Sequence, residues 1–423
     1  MGYLKRILDN ELNELQASLP ALAIGGPKAV GKTDTASRRA ATVQKLDDPP
    51  ILDLARADPR RLLQGDPPIL IDEWQRLPEI WDLVRRAVDS DPNPGRYLLT
   101  GSASPDGTGT HSGAGRIASI RMRPMSLVER LGIDGSVSLG RLLEGGRSSL
   151  SGESEIGLKD YVDEILASGF PAIRRLSGRA LRTQLDGYLS RIVDKDFPEL
   201  GHRIRNPAGL RRWMTAYAAA SSTAMSFEKI RDAATGGEGE KPSNTAARPY
   251  RDALERLWIL DPVPAWQPSR RHLSKLTVAP KHQLADPALA ARLLGADASS
   301  LLGGEPLGPP IPRDGSLLGA LFESLVTLCV RVYAQGVEAS VGHLRTFSGE
   351  HEVDLIIRRG DGRVVAIEVK LAPTVDDDDV RQLRWLEGRI GDELLDSLVI
   401  TTGTAAYRRS DGIGVVPAAL LGP

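Results

Sequence analysis

Cysteine is all but missing from this chain of 423 residues: Cys329 stands alone. One thiol cannot close an intrachain disulfide, and its neighbours in LFESLVTLCVRVY form an apolar helical run, so a reducing, cytoplasmic setting is expected. Six histidines and one cysteine leave no zinc-type cluster in view. A surplus of either charge is missing too: 54 Lys and Arg stand against 55 Asp and Glu, a formal net charge of −1. The chain as a whole therefore exerts no pull on nucleic acid, and any polyanion site must be a local basic patch. An uninterrupted apolar leader is absent as well, because MGYLKRILDNELNELQASLP carries Glu and Asp throughout. Neither a signal peptide nor a membrane span is expected there; Leu4, Ile7, Leu8, Leu12 and Leu15 mark one face of an amphipathic helix.

What is present suits globular domains, with 41% hydrophobic and 26% charged residues in a length that calls for two or three cores. From residue 21, short apolar runs (ALAIGG, ILDL, PPILIDE, RYLLTGS) alternate with helical periodicity, the pattern of a parallel α/β sheet. SPDGTGTHSGAG and LLEGGRSSLSGESEIG read as loops or linker. Residues 158–294 are mostly helical in pattern. The Gly- and Pro-rich SSLLGGEPLGPPIPRDGS ends that region, and helix, hairpin, helix and strand follow.

The segment GGPKAVGKT follows a predicted strand and precedes a predicted helix, with the spacing GxxxxGKT. Gly26 and Gly31 let the backbone N–H groups of Gly26, Pro27, Lys28, Ala29, Val30 and Gly31, proline excepted, close around phosphate oxygens. Lys32 supplies positive charge to the outer phosphates, and the Thr33 hydroxyl is a Mg²⁺ ligand, so ATP with Mg²⁺ is the expected cofactor. A plain Gly-rich turn would require neither Lys nor Thr. PPILIDEWQRLP is an apolar strand ending in Asp72, placed to hold the Mg²⁺ shell, and Glu73, placed to polarise the attacking water. RYLLTGSAS offers Thr100, Ser102 and Ser104 as sensors of the terminal phosphate, a role that strand capping explains nearly as well. Arg116 is a candidate arginine finger or an ordinary solvated side chain.

GPKAVGKT, ILIDEWQRLPEIW and YLLTGSAS resemble signature segments of a family of prokaryotic AAA-like P-loop ATPases that continue into a helical region and end in a nuclease-like domain. YVDEILASGFPAI, YRDALERLWILDPVPAW, LGALFESLV and EVDLIIRRGDGRVVAIEVK are similar to its later segments, so the likeness runs along essentially the whole chain. Asp34 after the GKT, and the Gly/Ser insertions near residues 107 and 146, depart from the family pattern.

In the middle region MSFEKIRDAA, a polar break, NTAARPYRDALERLW and ILDPVPAW have the order of a winged helix, which would offer Arg248 and Arg251 to a DNA backbone. No aromatic residues interleave the basic ones, and a structural connector fits the same pattern. Arg270, Arg271, Lys275 and Lys281 form the best candidate stripe for phosphate contacts, a solvated surface being equally compatible.

HEVDLIIRRGDGRVVAIEVKLA reads as a hairpin. With Gly360, Asp361 and Gly362 as a three-residue turn, Asp354 falls opposite Glu368, and Lys370 shares the face of Glu368. Like charges opposed across a sheet are destabilising, so a cation is required between them. A divalent metal, Mg²⁺ or Mn²⁺, meets that need with Lys370 beside it as a catalytic group; a charged sheet face neutralised by Lys370 alone is the plainer reading. The segment resembles the D…ExK constellation of the PD-(D/E)XK nuclease superfamily. That resemblance implies Glu323 as an additional metal-binding acid and Gln382 near the site. The run DDDD at 376–379 reads as helix capping.

These readings combine into an α/β chain: an AAA+-like P-loop ATPase domain over 1–135, a helical and winged-helix region over 136–298, and a restriction-endonuclease-like domain over 299–423. The expected activity is ATP hydrolysis coupled to metal-dependent cleavage of nucleic acid, DNA before RNA, with no membrane partner and a homo-oligomer left open. The alternative is an ATP-controlled switch that binds DNA or protein without cutting, in a defence or toxin–antitoxin setting.

Overall fold

The computed structural model of the chain describes residues 2–103, 115–201, 206–235, 244–268, 279–312 and 315–423, with only the backbone of 244–247. Ser104, Arg270, Arg271 and Lys275 lie outside the described residues. The chain divides into two units, the first formed by Met1–Pro124, Phe170–Ala172 and Asp252–Ile259 and the second by the remainder.

In the first unit, α1 (Leu8–Gln16) leads into β1 (Ala21–Gly25), α2 (Lys32–Ser37), β2 (Thr42–Lys45), α3 (Pro49–Ala57), β3 (Ile69–Asp72), α4 (Ile80–Ser90), β4 (Tyr97–Gly101) and β5 (Ala118–Arg121). The strands form one sheet in the order β2-β3-β4-β1-β5, and every pairing is parallel. Strands β1, β3 and β4 are almost continuously buried, as strands covered on both faces must be. Trp74, Trp81, Ile80, Val84, Ile71 and Leu99 are among the side chains that form the core on one face, with the rings of Trp74 and Trp81 4.9 Å apart. The run ILDL, expected as a strand, is helical and lies within α3. Two prolines open that helix, and Leu52 and Ala55 bury one stripe of it; the strand is the more polar TVQK of β2 at the sheet edge.

In the second unit the helices are α5 (Leu127–Leu131), α6 (Leu139–Glu144), α7 (Leu158–Ala167), α8 (Gly178–Arg191), α9 (Phe197–Glu199), α10 (Pro207–Ala219), α11 (Phe227–Ala233), most of α12 (Asn244–Arg256), α13 (Pro287–Leu293), α14 (Ala298–Gly303), α15 (Leu317–Gly336) and α16 (Arg381–Ile390). The short β6 (Val137–Ser138) pairs in parallel with β13 (Leu421–Gly422). The main sheet contains β7 (Ser340–Arg345), β8 (Glu352–Arg358), β9 (Val364–Val369), β10 (Leu394–Thr401), β11 (Tyr407–Arg408) and β12 (Gly414–Pro417), ordered β11-β12-β10-β9-β8-β7. β7, β8 and β9 pair antiparallel in succession, whereas β10 lies parallel to both β9 and β12. The 20-residue α15 is, among the described residues, the one helix long and apolar enough to cross a membrane by length and composition; 72% of its most apolar window is buried inside the protein.

Among the described residues, no regular wing follows α11 and α12. Residues 260–265 make only isolated bridges, Leu260 to Leu284, Val263 to Lys281 and Ala265 to His343, the last on the outer side of β7. Gly342 admits that approach, because a Cβ there would lie 3.1 Å from the Pro264 carbonyl and from Trp266 Cβ.

Candidate functional site

At the end of β1 the chain turns through Gly26, Ala29 (φ 65°) and Gly31 (φ 106°) before α2 begins at Lys32. The left-handed backbone at Gly31 favours a residue with no Cβ. A Cβ on Gly26 would stand 2.2 Å from the Met122 carbonyl, so the loop's close approach to that backbone also excludes a side chain. Pro27 and Val30 are buried, Lys28 is half-buried and Ala29 is exposed. Lys32 is buried, and its Nζ donates to the Gly26 and Pro27 carbonyls at 2.9 Å each. Burial pulls its pKa down to about 8, against the opposing pull of the Glu73 and Asp72 carboxylates.

The hydroxyls on either side of Asp72 converge on it. Thr33 Oγ1 donates to Asp72 Oδ1 at 2.8 Å, and Thr100 Oγ1, from the intervening strand β4, donates to the same oxygen. Glu73 follows with φ 59°, a left-handed conformation uncommon for a side-chain-bearing residue, which turns it out of the strand line. Its Oε2 accepts from Gln75 Nε2 and from Ser102 Oγ, the latter at 3.3 Å, and Gln75 Nε2 also donates to Ser102 Oγ at 3.1 Å. Gly101 makes room for this group, since a Cβ there would lie 2.5 Å from Trp74 Nε1 and 2.9 Å from Gln75 Oε1. Of the three hydroxyls offered as sensors, Thr100 thus belongs with Asp72 and Ser102 with Glu73. Gln75 was not anticipated. Arg116 is exposed and pairs with Asp89 at 2.8 Å.

This donor set suits ATP with Mg²⁺: a hydroxyl and a carboxylate hydrogen-bonded to each other where the loop ends, with an ammonium alongside. Thr33 and Asp72 would hold the metal shell, and Lys32 the outer phosphates.

The second cluster lies in the main sheet of the second unit. The β8–β9 register is the one the hairpin pattern requires, with Leu355 across from Ile367 and Arg358 across from Val364. Asp354 Oδ2 accepts the Val369 backbone N–H at 2.9 Å. The cation beside Asp354, however, is not Lys370. It is Lys281, wholly buried, whose Nζ lies 2.9 Å from Glu323 Oε1 on α15, 2.9 Å from Asp354 Oδ1 and 3.1 Å from Glu352 Oε1. This overturns the placing of Lys281 in a surface phosphate stripe. Glu323 Oε1 and Asp354 Oδ1, both expected to bind Mg²⁺ or Mn²⁺, are engaged by this ammonium instead, whereas Glu368 is not among its hydrogen-bond partners. Among the described residues, no three His, Cys, Asp or Glu side chains are grouped to hold a metal ion.

Burial raises Glu368 well above the usual carboxylate range, with the Asp354 charge adding to the effect, and its Oε1 has no hydrogen-bond partner among the described residues. Burial likewise pushes Glu323 up to about 8. The net effect on Lys281 is upward: burial opposes its charge, and the carboxylates of Asp354, Glu323 and Glu352 outweigh it. Lys370, partly exposed, stands 3.7 Å from Glu368 and 4.0 Å from Asp379. Gln382 pairs with His351 Nδ1 at 2.9 Å rather than with the acids, and His351 stacks on Trp385. Arg251 lies over the Phe227 ring, and Arg248 is exposed. In the DDDD run, Asp376 and Asp379 bond each other's backbone, and Asp377 pairs with Arg384 and Arg409.

Comparison with known proteins agrees with this layout in part. Residues 18–131 match the AAA domain, an ATPase family, which accords with the parallel sheet and its loop. Residues 158–300 and 318–421 match two domains of unknown function, DUF8612 and DUF4143. Uncharacterised proteins of Mycobacterium bovis and Mycobacterium tuberculosis are each 29% identical over 288 residues, 66% of this chain. The matched region spans 57% of the length of those relatives.

Proposed function

We propose that the chain is an ATP-hydrolysing switch whose nucleotide state governs a nuclease-like C-terminal domain that engages nucleic acid. The observation that carries the ATPase reading is the pair of hydroxyl–carboxylate contacts, Thr33 with Asp72 and Ser102 with Glu73, on adjoining residues at the end of one strand. Lys32 exchanges two carbonyls for phosphate oxygens when nucleotide enters. Mg²⁺, when bound with ATP, would offset charge on the outer phosphates. Glu73, held by Ser102 and Gln75, orients a water for in-line attack and takes up its proton. The likeness to the AAA domain supports this reading.

The nucleic-acid part rests on the order α15, β7–β9, α16 and on Asp354, Glu368 and Lys370 at one end of the hairpin. The non-cleaving form is favoured over metal-dependent cleavage by Lys281, which holds the acids a metal would use. Glu73→Gln tests the ATPase: turnover should fall at least ~100-fold with ATP binding retained. Unchanged turnover would remove Glu73 from this role. Filter binding of single- and double-stranded DNA by this variant, with and without ATP, tests the coupling, and equal affinity in both states would sink it.

A further inference from the structure

We infer that Lys281 is the resident cation of the C-terminal carboxylate cluster, seated where a divalent metal would have to bind, and that the site takes up Mn²⁺ only when this ammonium is removed. The inference rests on the nuclease-like reading of the sheet and is independent of ATP hydrolysis.

Three observations carry it. The Lys281 backbone is locked in place, exchanging both N–H···O bonds with Val263 at 2.9 Å, so the ammonium is delivered by a fixed segment rather than a surface rotamer. Three carboxylates, from α15 and β8, lie within 3.1 Å of one Nζ, which uses its donors on them. The cluster is crowded with acids: Glu323, Glu352, Asp354 and Glu368 face Lys281, Lys370 and Arg345, the last 3.2 Å from Glu352. Glu368, 5% exposed, has an Oε1 left without a partner among the described residues. A divalent ion would draw on the same oxygens, and it and the ammonium cannot share Asp354 and Glu323 without severe repulsion in a buried site. Removing the lysine leaves buried acids that must be neutralised by protons or by another cation, and a divalent ion then meets no ammonium there.

The test is Mn²⁺ binding to the full chain without nucleotide, followed by the free-Mn²⁺ electron paramagnetic resonance signal. A Thr33→Ala/Asp72→Asn background silences the P-loop. In that background the Lys281 protein should leave Mn²⁺ free, whereas Lys281→Met should bind one ion at least about tenfold more tightly and lose it on adding Asp354→Asn. If Lys281→Met unfolds in chelator, recovery of its near-ultraviolet circular dichroism on adding Mn²⁺ supports the inference, and no recovery overturns it. Mn²⁺ bound by the Lys281 protein and lost with Asp354→Asn also overturns it, as does a folded Lys281→Met that takes up none. If Mn²⁺ uptake follows Lys281 as expected while neither protein binds any DNA or RNA, the inference stands and the nuclease-like reading fails.

Discussion

Ser102 shows how a single hydroxyl acquires a role from its neighbours. It donates to Glu73 and accepts from Gln75, so it helps hold the carboxylate in a left-handed turn that leaves little freedom elsewhere. Ser102→Ala is expected to lower kcat roughly tenfold with KM for ATP little changed, because it loosens the orientation of Glu73 without touching Lys32 or Thr33. A rise in KM with unchanged kcat would instead make Ser102 a nucleotide-binding group. Lys281 illustrates the opposite case. Its sequence neighbours present it as one more base in a polar stretch, and only the convergence of α15 and β8 makes it a counter-ion.

The segment 281–286 is the element that most departs from its appearance. KHQLAD looks like surface, yet Lys281, His282, Gln283 and Asp286 are all buried. Each of the last three has a partner inside the second unit: His282 Nε2 at the Met225 carbonyl, Gln283 Nε2 donating to Ser222, and Asp286 accepting from Ser168 Oγ, Gly169 N and Ala288 N, while His282 Nδ1 and Gln283 Oε1 have none among the described residues. Asp286 also starts α13, tying that helix to the end of α7. Asp286→Ala strands three buried donors and should cost on the order of 3 kcal/mol, visible as a lower midpoint in urea unfolding. A change under about 0.5 kcal/mol would mean that water replaces the carboxylate at all three donors.

At the scale of the whole molecule, this polar interior makes stability depend on pH. His282 is buried between the rings of Tyr217 and Phe227, and burial, with a lesser push from Arg251, lowers its pKa from 6.5 to about 4. Between those values the unfolded chain binds a proton that the folded chain does not. Its contribution is therefore complete above about pH 6.5 and is lost as pH falls toward 4. Between pH 7.5 and 5 the His282 protein should lose about 2 kcal/mol more stability than His282→Phe, measured by urea unfolding at each pH. Equal losses in the two proteins would show that His282 is not held neutral.

The P-loop, the Asp72–Glu73 strand end and the hairpin register were legible in the sequence because each depends on local spacing: a loop of fixed length, a run of apolar residues, a turn that sets the pairing. Even ILDL misled only where the two prolines of α3 outweighed an apolar run. Which cation answers Asp354 is a different kind of question. The need for one follows from two acids facing each other on a sheet, and the sequence by itself determined that much. Lys281 is 73 residues from Asp354 and 42 from Glu323, and no periodicity links them. Only the bridges of residues 260–265 to Lys281 and Leu284 and to the edge of β7 bring the ammonium there, since charge balance in a buried site is settled by what packs around it.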